Sequence, residues 1–178
     1  MTCIERYKEL TGVTKLQVVT TPFPPENALT DEDFVESGQL ADKSSSVLMK
    51  VLWGGRMGRW DLLRQIGQLA SFVTKWSVAC DKMLFRLMSY INSSMDPKLC
   101  IQVGDSHKHW ELDLWADSDF ASCVFTKRST AGVMAAITGP NTFAPIVGHS
   151  AKHDAPTDST PAAEIVSLNK AVVKSGIP

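Results

Sequence analysis

The sequence predicts an α+β protein in which a helical segment precedes a three-stranded antiparallel sheet and a final helix. Apolar residues recur at helical spacing between residues 46 and 93, and they alternate with polar ones from residue 110 onward. A third observation is the helix start at Ser159-Thr160-Pro161, where hydroxyl side chains precede a proline. Consecutive strands followed by a helix are typical of the α+β class.

The composition is that of a globular protein with no strong net electrostatic field. The chain has 178 residues, room for one domain or one and a half, and 44% of them are hydrophobic. A net charge of −1 excludes a strong overall attraction to nucleic acid or anionic lipid. No apolar stretch is long enough for a secretory signal or a membrane span. We therefore expect an intracellular protein, cytoplasmic or nuclear, that is not secreted and has no membrane partner.

Residues 1–45 are predicted to be a tail or linker. A short helix is expected near residues 3–10, and Val18-Val19 has the composition of a short strand. The three prolines among residues 22–25 exclude a helix or a central strand there. Acidic and small residues between 26 and 46 indicate an exposed connector.

Residues 46–95 are predicted to be helical. The first apolar stripe includes Val47, Leu48 and Val51, and it is interrupted by the glycines at 54, 55 and 58. Ser77 is positioned to cap the N-terminus of a later helix, which has an apolar stripe of its own. The expected role of these stripes is packing.

Residues 98–178 are predicted to be the sheet and the last helix. The predicted strands are a short one at 99–103, a long one at 110–120, and two more at 130–137 and 143–150. In the long strand Leu112, Leu114 and Ala116 should face one side of the sheet. Glu111, Asp113, Trp115 and Asp117 should face the other. The helix should open with Ser159 or Thr160 as its cap and Pro161 as its first residue, and it should run to about Lys174. Glu164 should lie in its first turn, with Gly176 and Pro178 closing it.

Two carboxylates in this region are candidates for chemistry. Asp117 lies near the end of a well-patterned strand, and Glu164 lies near the start of the following helix. Carboxylates from a strand end and a helix start can together supply part of a divalent-metal site. The alternative is structural: an aspartate at a strand end often begins a turn, and a glutamate complements the helix dipole. The residue pattern alone leaves both interpretations open.

Three ordered motifs resemble one known family. Residues 114–121, LWADSDFA, resemble the Y-(S/A)-D-A-D-(W/F)-A-G segment of the ribonuclease H of copia-type retrotransposons. Residues 128–132, RSTAG, are similar to its R-S-T-S-G, and residues 159–164, STPAAE, to its S-T-x-E-A-E. Upstream, the run RWDL at 59–62 is similar to the R-P-D-(I/L) that follows the family's reverse transcriptase.

The resemblance implies a site and a partner. It makes Asp117 and Glu164 the first two catalytic carboxylates and ligands of Mg²⁺ or Mn²⁺, in a family that cleaves the RNA strand of RNA–DNA hybrids with two metal ions. It also implies the domains: 1–45 as the linker after the polymerase palm, 46–95 as a thumb or connection segment, and 98–178 as the N-terminal half of a ribonuclease H. The rest of the Pol polyprotein is then an expected partner.

The chain departs from the family pattern in ways that predict an inactive fragment. Ala162, Ser122 and Trp60 replace the family's glutamate, glycine and proline, and no Y-x-D-D element of a polymerase palm is present. The sequence ends at Pro178, before the family's later acidic positions. We expect no cleavage by this chain alone and no tight binding of the metal. The resemblance also implies an open edge along residues 112–117, and therefore self-association or dependence on a partner that completes the sheet.

Two alternatives to an enzyme fragment remain open. One is a non-catalytic module that binds nucleic acid or protein on the same scaffold, since fold does not fix function. The other is a degraded remnant without function. Other metal or nucleophilic chemistry has little support, because the four cysteines form no C-x-x-C pair. His107, His109, His149 and His153 are expected at the surface, since no ligand spacing joins them to the cysteines.

Overall fold

The computed structural model describes residues 2–25, 28–123 and 126–176. The chain divides into two compact units, residues 1–97 and 98–178. The first is helical, and the second contains a three-stranded antiparallel sheet and a helix, so the α+β class is confirmed. Glu26 and Asn27 of the predicted connector lie outside the described residues, as does Pro178, the predicted helix stop.

The helices of the first unit fall near the predicted stripes. They are α1 (Cys3–Thr11), α2 (Asp31–Val35), α3 (Ser44–Met57), α4 (Leu63–Ala70) and α5 (Val78–Ser93), with short 3-10 turns at Trp60–Leu62 and Val73–Lys75. Both α1 and α2 begin with reciprocal capping boxes. In α1, the Thr2 hydroxyl accepts from the Glu5 amide, and the Glu5 carboxylate accepts from the Thr2 amide. Such caps stabilise short helices that packing alone would leave frayed.

The core of the first unit includes residues from the segment predicted to be a linker. Leu84, Leu87 and Met88 of α5 are fully buried at its centre. Tyr7, Leu16 and Leu40 are buried in the same cluster, and burial followed by the charge of Asp81 raises the pKa of Tyr7 to about 12. Much of residues 1–45 is therefore part of the helical unit rather than a separate exposed tail. The short strand expected at Val18-Val19 does not form, and Val18 is exposed.

The R-x-D element at residues 59–61 fastens the start of α4 to the end of α5. The guanidinium of Arg59 donates to both carboxylate oxygens of Asp61, at 3.0 and 2.8 Å. It also donates to the carbonyl and the hydroxyl of Ser94, at 2.6 and 2.8 Å. The phenol of Tyr90 donates to Asp61 at 3.0 Å. This motif therefore has a structural role in the described fold.

The second unit consists of β1 (Glu111–Asp119), β2 (Thr130–Gly139), β3 (Thr142–Lys152) and α6 (Thr160–Ser175). The strands pair antiparallel in the order β1-β2-β3, so β1 is an edge strand of the described sheet. The short strand predicted at 99–103 is reduced to one bridge, in which Gln102 and Phe143 exchange backbone hydrogen bonds of 3.0 and 2.9 Å.

Helix α6 begins at Thr160, one residue before the predicted first position, and Glu164 lies further along it than expected. The Ser159 hydroxyl accepts from the Ala162 amide, and Pro161 follows the first helical residue. The first turn contains no acidic residue, because Glu164 is the fifth residue of a helix that starts at Thr160. The expectation of Glu164 in the first turn was therefore wrong by about one position.

Helix α6 covers one side of the sheet and lies mainly over its edge strand. Its small buried residues, Ala163, Ser167 and Ala171, allow close approach, and it packs against β1 and β2. On β2, the buried residues Ala131, Val133 and Ala135 share one side. We infer that this buried side faces α6, because α6 packs against β1 and β2, while Gly132 on the other side of β2 is exposed.

Candidate functional site

Asp117 lies on the side of the sheet away from α6. It pairs with Gly132 in an uninterrupted register, so its side chain shares a side with Asp113 and Trp115, as the alternation predicted. Its side chain is exposed to solvent. The helix-facing positions of β1 are Leu112, Leu114, Ala116 and Ser118, whose partners on β2 lie on the buried side.

Glu164 lies on α6 and is half-buried. Burial lowers the pKa of the nearby His153 imidazole, and the negative charge of Glu164 offsets a small part of that shift. Within the described ranges no hydrogen bond or ion pair joins Glu164 to Asp117, and no group of three or more His, Cys, Asp or Glu side chains could hold a metal ion. Asp117 lies on β1 and Glu164 on α6 of the same unit, and their role as ligands of Mg²⁺ or Mn²⁺ stays a prediction of the resemblance.

A buried polar cluster lies under the start of α6, around His153. The imidazole is 1% exposed, and its Nε2 lies 2.9 Å from the Ser167 hydroxyl. Its backbone amide donates to the Ser129 carbonyl at 2.8 Å, and the Ser129 hydroxyl lies 3.3 Å from that of Thr157. Burial lowers the pKa of His153, and the charge of Lys170 adds to the effect. Neutral imidazole is therefore the stable form in the folded unit.

The expectation that all four histidines lie at the surface was wrong for His153. His107 and His109 are exposed, and His149 is half-buried. A single histidine after a strand has no periodic pattern that would indicate burial. Ser129 of the RSTAG motif is completely buried beside His153, but no sequence pattern joins the two residues.

The LWADSDFA and RSTAG motifs meet where the chain passes from β1 to β2. The amide of Ala121, which has a left-handed backbone (φ 51°), donates to the Ser129 hydroxyl at 3.1 Å. The hydroxyls of Ser122 and Thr130 lie 3.3 Å apart. Ser129 therefore joins the end of β1 to the start of β2, so this serine of the RSTAG motif has a structural role.

Cys123 in the same turn has an activated thiol. The ammonium of Lys152 lies 3.2 Å from its sulfur. Burial raises the pKa of the Cys123 thiol, but hydrogen bonds to Thr126 and the neighbouring Lys152 outweigh burial and bring the pKa to about 7. No sequence pattern indicates this pairing, since the two residues are far apart along the chain.

Comparison with protein-family models, curated proteins and solved structures finds no match for this chain. In the described parts of the chain, none of the helices combines the length and apolar character required to cross a membrane. The resemblance to copia-type elements therefore rests on the motifs and on the order of the elements that carry them.

Proposed function

We propose that this chain is part of a copia-type retrotransposon polyprotein, in which residues 98–178 begin a ribonuclease H domain. The observation that supports this most directly is the element order β1-β2-β3-α6. Asp117 lies on the first strand, Glu164 lies on the first helix, and that helix packs on that strand. The motif order and the element order agree, although each motif is short.

Local roles of motif residues add to the support. Arg59 and Asp61 hold the helical unit together, and Ser129 closes the turn between the first two strands. In the proposed polyprotein the substrate is an RNA–DNA hybrid, which is recognised by its 2′-hydroxyls, and the catalytic metal is Mg²⁺ or Mn²⁺.

We propose further that the chain does not cleave hybrid by itself. Two-metal hydrolysis needs several carboxylates that converge on two ions about 4 Å apart. Here Asp117 is directed away from the sheet side on which α6, with Glu164, packs. The described residues thus support a scaffold for the reaction rather than an assembled site.

A cleavage assay tests the inactivity of the chain. End-labelled RNA–DNA hybrid is incubated with the protein and with Asp117→Asn, in Mg²⁺ and separately in Mn²⁺, and the products are separated by length. The expected result is the same background for both proteins. Cleavage by the unchanged chain that disappears in Asp117→Asn would overturn the proposed inactivity, while supporting the assignment of Asp117.

Transcript sequencing tests the assignment to the family. Reading the transcript through its 3′ end is expected to show an in-frame continuation that carries further acidic positions. A stop codon directly after residue 178 would instead indicate a remnant whose surviving role, if any, is binding.

A non-catalytic interaction module is the second candidate function. It is favoured by exposed apolar residues on α6, among them Ile165, Leu168 and Val172, on a helix that packs over the edge strand. Monomeric soluble proteins rarely leave contiguous apolar surface of this kind without a partner. Binding of hybrid or protein that is insensitive to Asp117→Asn would favour this function over the first.

A further inference from the structure

We propose that Cys123 and Lys152 form an acyl-transfer site, in which the thiol takes an acyl group from a small acyl thioester and passes it to the lysine amine. The proposal is independent of nuclease activity. It rests on three observations of the second unit: the contact between the two nucleophiles, the fixed backbone that carries each of them, and the partial exposure of both side chains.

The first observation is the contact. The Nζ atom of Lys152 lies 3.2 Å from the Sγ atom of Cys123, although the two residues are 29 positions apart along the chain. An acyl group on the sulfur has its carbonyl carbon one covalent bond away, within reach of the same amine. Reacting groups that a protein holds at about this separation combine far faster than the same groups free in solution.

The second observation is that the backbone positions both residues. In the turn after β1, the Cys123 amide donates to the Arg128 carbonyl at 3.2 Å, and the Cys123 carbonyl accepts from the Lys127 amide at 2.8 Å. Lys152 is the last residue of β3, where it pairs with the first residue of β2. Its carbonyl accepts from the Lys170 ammonium at 3.0 Å. The sheet and its turn therefore bring the thiol and the amine together.

The third observation is that the pair is accessible to a small reagent. Cys123 and Lys152 are both half-buried, whereas Cys80 is fully buried. Burial raises the pKa of the Cys123 thiol, but hydrogen bonds with Thr126 and Lys152 bring the pKa to about 7. Since the thiolate is the nucleophilic form, a large fraction of this thiol is reactive near neutral pH.

The first chemical step is thioester exchange at Cys123. The thiolate attacks the carbonyl carbon of the acyl thioester, and the new bond from Sγ to that carbon forms as the bond to the original sulfur breaks. The departing thiolate keeps the bonding electron pair and takes a proton from water. The acyl group is then a thioester of Cys123, as in other covalent transfers through cysteine.

The second step moves the acyl group to Lys152. Lysine amines are mostly protonated near neutral pH, which makes direct attack on a free thioester slow. Once the Lys152 amine has lost a proton to water, it attacks the neighbouring acyl carbon, the bond from carbon to Sγ breaks, and the nitrogen releases a second proton. Cys123 is regenerated as a thiolate. The net reaction converts thioester and amine into amide and free thiol, without oxidation or reduction.

The test uses the whole chain and the acetyl thioester of N-acetylcysteamine, with acetylation followed by peptide mass spectrometry. We expect Lys152 to be acetylated at least about tenfold faster than Lys174, which is exposed on α6. Cys123→Ser should remove this advantage. Cys100→Ser is the matched control, because Cys100 is also a free cysteine and is exposed, and it should leave the rate at Lys152 unchanged.

A second variant traps the intermediate. Lys152→Arg keeps a cation at this position but supplies no nucleophilic amine, so an acetyl thioester that hydroxylamine releases should accumulate on Cys123. The amine-directed acetyl ester of N-hydroxysuccinimide should label Lys152 equally in the unchanged chain and in Cys123→Ser, which shows that the serine variant is folded around the lysine.

Three results would each overturn the proposal. One is acetylation of Lys152 at the same rate in Cys123→Ser as in the unchanged chain. Another is a thioester on Cys123 that persists in the unchanged chain without transfer to Lys152. The third is the absence of any thioester on Cys123 in Lys152→Arg.

Discussion

The imidazole Nε2 of His153 lies 2.9 Å from the hydroxyl oxygen of Ser167, in a position where both residues are buried. The other ring nitrogen, Nδ1, is also buried and has no hydrogen-bond partner in the structure. Protonation would place a cation between the sheet and α6, close to the ammonium of Lys170. The charges of Asp154 and Glu164 oppose this effect but do not reverse it.

Acid should therefore destabilise the second unit through His153. Its folded pKa is below the unfolded value of about 6.5, so the unfolded chain binds the proton more readily. The stability contribution is present above the unfolded pKa and is lost as the pH falls below it, by at most about 1.4 kcal/mol per pH unit. Hydrogen exchange of the β2 amides, followed from about pH 7.5 down to about pH 5, measures the loss of unfolding free energy.

His153→Gln and His107→Gln separate this histidine from other titrating groups. His153→Gln should flatten the pH dependence, because glutamine binds no proton in this range. His107 is exposed, so His107→Gln should leave the slope as it is. An unchanged slope in His153→Gln would contradict the assignment.

Cys123 should react with iodoacetamide as a thiolate with an apparent pKa of about 7. Lys152→Met removes the ammonium 3.2 Å from the sulfur and should lower the rate at neutral pH by roughly fivefold. Peptide mass spectrometry resolves the site. Buried Cys80 serves as an internal control that stays unmodified in the native protein. A rate at Cys123 that Lys152→Met leaves unchanged would refute the pairing.

Gly38→Ala should destabilise the first unit. A Cβ at residue 38 would lie 2.5 Å from the Ser77 carbonyl oxygen and 2.7 Å from a ring carbon of Trp76. Relief of such contacts requires backbone movement, with an expected cost of about 1–3 kcal/mol. Gly54→Ala is the matched control: nothing lies within 4 Å of its Cβ position, and α3 should gain about 0.5–1 kcal/mol. Urea denaturation of both variants measures the difference, and equal effects would argue against the predicted contact.

Arg59→Lys should cost about 1–2 kcal/mol of unfolding free energy. The guanidinium bonds Asp61 and Ser94 simultaneously, and an ammonium group cannot reproduce this planar arrangement. Arg56 on α3 is exposed, so Arg56→Lys should be close to neutral in the same urea titration. If the two substitutions have the same effect, the Arg59 bonds do not stabilise the fold.

The sequence predicted those parts of the fold that local pattern determines. The alternation in residues 110–120 gave the two sides of β1, and the Ser159 cap placed the start of α6. Burial of Leu16 and Leu40 was not predictable in this way. Isolated apolar residues in an irregular segment have no period, and only tertiary packing determines whether they are covered.

For the candidate site, the side of β1 on which Asp117 lies was predictable, whereas its position relative to α6 was not. Alternation alone places Asp117 on the side with Trp115, but it does not say which side α6 covers. That depends on the small residues of α6 and on the Ser167–His153 bond, which joins positions 14 apart. The strand expected at 99–103 failed for a similar reason, since β propensity needs a paired neighbour over several residues.

The carboxylate of Asp81 accepts hydrogen bonds from the backbone amides of Gln39 and Leu40 and from the indole N–H of Trp76. The path of residues 39 and 40 is thus specified by a side chain more than forty positions later, on α5. Because backbone amides are common to all residues except proline, the side chain of Gln39 is free to vary at little cost. Substitutions should therefore be tolerated at residue 39 and rejected at residue 81. The sequence of the loop does not show this constraint, because the residue that imposes it lies on α5.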